Sequence, residues 1–83
     1  MKVYVLHDYI EDSCDGFETN VINVSKNDKE LWDQMKSEYD SSKERHEAFS
    51  KGETYIDDFS AAVVEEYGDY HFHHEWMIED FEV

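Results

Sequence analysis

The chain has no proline, three glycines and a single cysteine, and from Gly52 to Val83 it has no lysine or arginine. Linkers and low-complexity segments are normally rich in proline or glycine, so their scarcity argues against a hinge and predicts one folded domain over residues 1–83. Cys14 cannot close an internal disulfide, which sets aside a disulfide-stapled secreted scaffold and fits a reducing compartment. It stands between Ser13 and Asp15, where neighbouring carboxylates disfavour the thiolate, and reads as chemically idle. No apolar run reaches the roughly 18 residues that span a bilayer, and the N-terminus lacks a signal-peptide pattern. The expected setting is the cytoplasm.

The missing cations leave a one-signed surface. Twenty-two acidic residues face seven basic ones, a net charge of −15. Six of the seven (Lys26, Lys29, Lys36, Lys43, Arg45, Lys51) lie in residues 26–51, where seven acids leave a local charge of −1. The other −14 sits on the flanks, including ten acids between Gly52 and Val83. Such a field repels nucleic acid and anionic membrane and attracts basic surfaces. The chain is nonetheless expected to fold, because two Trp, six Tyr and five Phe supply compact apolar mass. At 83 residues the stability margin is small.

Lys2 to Ile10 (KVYVLHDYI) is rich in β-branched and aromatic residues, with Val3, Val5 and His7 on one face and Tyr4, Leu6 and Asp8 on the other. Glu11 to Gly16 (EDSCDG) reads as a turn, and Phe17 to Val24 (FETNVINV) as a second strand pairing antiparallel with the first. The period then changes. Leu31, Met35, Tyr39, Ser42, His46 and Phe49 recur at spacings of three and four with Trp32 beside them, the mark of one helical face. Ser25 or Asn27 can cap this helix, with Asn27 and Glu30 spaced as a capping box, and Lys51-Gly52 ends it. Asp40-Ser41-Ser42 are weak helix formers and mark where a bend or break would fall, with one long helix as the first reading.

Ala61 to Tyr67 and Tyr70 to Val83 flank Gly68-Asp69, a dipeptide suited to a hairpin turn. The turn sets Tyr67 opposite Tyr70, Glu66 opposite His71, Glu65 opposite Phe72, Val63 opposite His74 and Ala61 opposite Trp76. AAVVEE suits a helix as well, which leaves residues 61–67 open between the two. Phe72, Trp76 and Ile78 share the inner parity, and its reversal at Phe81 and Val83 predicts a bulge near Glu79-Asp80 or a strand end. The sum is an α+β fold, a small antiparallel sheet (β-β-α-β-β) with one amphipathic helix packed on a face.

Catalytic motifs are missing. Asp57-Asp58, Glu65-Glu66 and Glu79-Asp80 are adjacent, and neighbours on a strand point to opposite faces, so they do not place two carboxylates across one bond. No phosphate loop, nucleophile elbow or EF-hand appears, so neither an enzyme nor a cofactor is expected. His71, His73 and His74 offer metal-ligand chemistry with Glu66 and Glu75 nearby, but no tight tetrahedral spacing. The acidic residues remain, and Asp57, Asp58, Glu65, Glu66, Asp69, Glu75, Glu79, Asp80 and Glu82 are the candidate phosphate-like contacts to a basic partner.

In length, charge and layout the chain resembles the small acidic proteins of phages and mobile elements, many of which are anti-CRISPR or anti-restriction inhibitors that occupy a nucleic-acid-binding surface. Bacterial domains of similar size match its KVYVL strand equally well. The resemblance carries no residue roles. It implies a non-enzymatic acidic inhibitor that mimics nucleic acid and blocks the basic groove of a nucleic-acid-binding protein. The rival expectations are a general interaction module using an apolar patch, and a metal-binding sensor built on the histidines.

Overall fold

The computed structural model describes residues 1–13, 16–46, 54–67 and 70–83. Strand β1 (Lys2–Asp12) and strand β2 (Gly16–Ser25) form the first antiparallel pair. Gly16 enters β2 at φ 88°, a left-handed conformation that glycine adopts at little cost. Helix α1 (Asp28–His46) follows, then a two-residue strand β3 (Tyr55–Ile56), β4 (Ser60–Tyr67) and β5 (Tyr70–Glu82). The five strands make one sheet in the order β2-β1-β5-β4-β3, antiparallel throughout. The chain leaves one edge at β2 and resumes at the other with β3, so the intervening helix is laid across one face.

That helix starts as its sequence directs. Asn27 Oδ1 accepts the Lys29 backbone N–H at 3.0 Å, and Asp28 and Glu30 occupy the positive end of the dipole. The capping box closes differently from expectation: Glu30 accepts a hydrogen bond from the Ser25 hydroxyl, whose oxygen in turn receives the Asn27 N–H. The helix runs through Asp40-Ser41-Ser42 to His46 with Ser42 buried, so tertiary context outweighs the segment's low propensity. The expected stop at Lys51-Gly52 lies outside the described residues.

Leu31, Met35 and Tyr39 pack on Leu6 of β1, Ala61 and Val63 of β4, and Trp76 and Ile78 of β5. Each fully buried aliphatic side chain here contributes about 1.5–3 kcal/mol. Small Ala61 stands opposite large Trp76, which leaves room for the indole under the helix. Residues 61–67 are strand, and the β4–β5 register is the one that the Gly68-Asp69 turn predicts, from Ala61↔Trp76 to Tyr67↔Tyr70. Gly68 and Asp69 themselves lie outside the described residues.

One expectation is corrected. The β1–β5 register runs unbroken from Lys2↔Glu82 to Asp12↔Phe72, so there is no bulge at Glu79-Asp80. The apolar parity reverses because a 19-residue helix, about 28 Å long, cannot cover the 13 residues of β5, about 43 Å of strand. The irregularity lies between β1 and β2, where Leu6 pairs with Asn23 but His7 with Val21, making Ile22 the extra residue. Among the described residues, no helix is long and apolar enough to cross a membrane.

Candidate functional site

One face of the sheet is covered by α1; the other carries the candidate site. Strand alternation and the paired registers put Val3, Val5, His7, Tyr9 and Glu11 of β1 on the face that α1 leaves uncovered, beside Phe17, Thr19 and Val21 of β2. His71, His73, Glu75, Met77, Glu79 and Phe81 of β5 join them, with Glu66 of β4. Phe17, Val21, Met77 and Phe81 are exposed apolar side chains. No lysine or arginine stands on this face among the described residues.

Its carboxylates are interleaved with histidines. Glu79 lies 3.2 Å from His7 Nε2, Glu75 lies 3.3 Å from His73 Nε2, and Glu66 lies 3.8 Å from His71 Nδ1. His74 is separated from that group: it faces the helix, with its Nε2 2.9 Å from Asp8 Oδ2 and its ring stacked on Trp76 at 3.7 Å. The alternation that brings His71 and His73 together sends His74 through the sheet. Among the described residues, no three histidine, cysteine, aspartate or glutamate side chains converge to hold a metal ion.

The nine acids singled out in the sequence are divided by the fold. Glu66, Glu75 and Glu79 share the uncovered face. Glu65 points the opposite way and is only 7% exposed, so it has little surface to offer a partner. Asp80 pairs with Lys2 at 3.2 Å and Glu82 with the N-terminal amine at 3.0 Å, both at the far end of the sheet. Asp69 lies outside the described residues. Glu11 is the member that the sequence hides, because it opens the polar run Glu11–Gly16 that reads as a turn, whereas β1 continues to Asp12. Two of the helix cations are engaged elsewhere: Lys29 and Lys36 pair along α1 with Asp33 and Asp40.

Asp57 and Asp58 occupy the turn between β3 and β4. Asp58 lines a cleft of about 440 Å³ with Asp28, Lys29, Trp32 and Phe59. Asp57 holds the turn together: its Oδ1 accepts the N–H groups of Phe59 (3.0 Å) and Ser60 (2.8 Å) and the Ser60 hydroxyl (3.1 Å). Those bonds to Phe59 and Ser60 hold its carboxyl below the ordinary carboxylate range. Asp57→Ala should cost about 1 kcal/mol in urea unfolding at neutral pH. The charge-dependent part of that loss, present above the unfolded-state pKa, should shrink as pH falls through the depressed folded value. Asp57→Asn, which keeps an acceptor, should lose less.

No family model, no curated protein and no solved structure matches the chain.

Proposed function

We propose that the protein is a non-enzymatic acidic binding protein that occupies the basic surface of a nucleic-acid-binding protein, acting as a nucleic-acid mimic of the anti-CRISPR or anti-restriction kind. The observation that carries this reading is the uncovered sheet face, which holds Glu11, Glu66, Glu75 and Glu79 without a lysine or arginine among the described residues. Glu75 and Glu79, four residues apart on β5, are spaced by roughly 13 Å, close to four times the ~3.4 Å rise per nucleotide. A groove that tracks phosphates can accept that spacing. Tyr9 and Phe17, whose ring centroids lie 6.2 Å apart, give the same face an aromatic surface for arginine stacking. The reading sets the protein in the cytoplasm, which the single cysteine fits.

Glu75→Lys with Glu79→Lys should weaken capture of the partner by tenfold or more and flatten its salt dependence, measured by pull-down and titration at low and high ionic strength. Nucleic acid should compete for the same site. Unchanged affinity in the double variant would count against the mimic.

The exposed Phe17, Val21, Met77 and Phe81 favour a second reading, a general phage or bacterial interaction module held by apolar contact. Its binding should persist at about 0.5 M salt, where charge-driven capture is released.

A further inference from the structure

The two edges of the sheet are treated differently. At the β4 edge, β3 pairs with the strand's first residues, and beyond it the Thr54 hydroxyl accepts the Val64 N–H at 3.1 Å and reaches the Val64 carbonyl at 3.5 Å. No strand pairs with the outer side of β2 among the described residues. The strand is ten residues long and Glu18 is its only charged residue; it has neither lysine nor proline, the residues that usually blunt an edge. Phe17 is 74% and Val21 68% exposed. One local contact closes part of the edge, the Asn23 Oδ1 acceptor on the Val24 N–H at 2.8 Å. Together with the extra residue Ile22, it confines the regular edge to Gly16–Val21.

This segment is complementary to itself. When two antiparallel copies meet about a two-fold axis at Thr19, Phe17 stands opposite Val21 of the second copy, and Glu18 opposite Asn20. Thr19 meets Thr19. Aromatic against β-branched and threonine against threonine are favourable cross-strand pairs, and no like charges are opposed. Shifting the axis one residue toward the N-terminus would set Glu18 against Glu18. Directly opposed residues share a face, so both helices fall on one side and both uncovered faces on the other.

We propose that two copies of this chain pair antiparallel through Gly16–Val21, with the two-fold axis at Thr19, and fuse their sheets into one. The inference is independent of the partner reading above. The occupant is a second copy and not a basic strand, because the Thr19 register satisfies this edge without an added cation. A six-residue contact is smaller than the roughly 800 Å² per partner of a standard interface, so the dimer is weak and concentration-dependent. Each chain carries −15, so salt strengthens the pairing by screening the repulsion.

Sedimentation equilibrium over a wide concentration range, at low and high salt, tests it. The dimer fraction should rise with both. Thr19→Lys and Thr19→Asp each oppose like charges at the axis on an exposed position and should weaken self-association by tenfold or more, with circular dichroism unchanged. Mixing the two variants sets the introduced lysine against the introduced aspartate and should restore a dimer containing one of each. A monomer under all conditions would overturn the proposal, as would a dimer unaffected by either substitution or one that salt dissociates. Tighter self-association of Thr19→Lys, from charge relief alone, would overturn it too.

Discussion

Trp76→Ala is expected to cost about 3–5 kcal/mol of folding stability, the range for removing a fully buried aromatic side chain. The indole is 0% exposed, stacks on His74 at 3.7 Å and meets Tyr39 edge-on at 6.3 Å, so its loss opens a cavity on the central strand beneath the helix. A domain of 83 residues has a total margin of about 4–12 kcal/mol. The variant should therefore show a large drop in urea midpoint, and at the lower end of that margin be substantially unfolded at 25 °C. Trp32→Ala is the control: this ring is half-buried beside the core, with its Nε1–H donating to the Asp57 carbonyl at 3.0 Å. Its replacement should cost less. Equal losses at the two positions would show that Trp76 is not the buried anchor of the core.

Breaking the Asp8–His74 pair should cost nearly as much. Both side chains are buried beneath the helix, and Asn20 donates a second hydrogen bond to Asp8 at 3.2 Å. Asp8→Ala or His74→Ala removes one partner of a buried pair, a change that typically costs about 3–5 kcal/mol. Asp8→Leu combined with His74→Leu should be less destabilising than the sum of the two single leucine replacements, the sign of direct coupling in a double-mutant cycle. Additive losses would show that the pair does not act as a unit. Glu38 of the helix faces the same region, and its carboxyl is pushed up, first by burial and then by the Asp8 charge, against a lowering contact from the Trp76 N–H. An acid with a raised folded pKa favours the folded state at low pH and loses that contribution as pH rises through the folded value. Glu38→Gln should therefore stabilise the protein above that value, with the gain vanishing below the ordinary 4.5.

Local patterning made much of the scaffold legible. The spacing of Leu31, Met35 and Tyr39 marked the buried helix face, and Gly68-Asp69 set the β4–β5 register to the residue. The same parity already put Asp8 on the face of Leu6 and His74 opposite Val63, although their pairing needs β1 and β5 to be neighbours. The candidate site was less legible. The nine acids are close in the chain, but which of them share a face depends on strand pairing, and Glu11 joins Glu75 and Glu79 from the other end of the sequence.

The sequence by itself determined the types of β1, β2, α1 and β5, the α+β class and the −15 charge, since these depend on near-neighbour periodicity and on composition. Only the tertiary structure decided that β5 lies between β1 and β4, that Ile22 is the extra residue in β2, and which carboxylates share the uncovered face. Those outcomes follow from pairing strands distant in the chain and from the limited length of one helix, and near-neighbour patterning encodes neither.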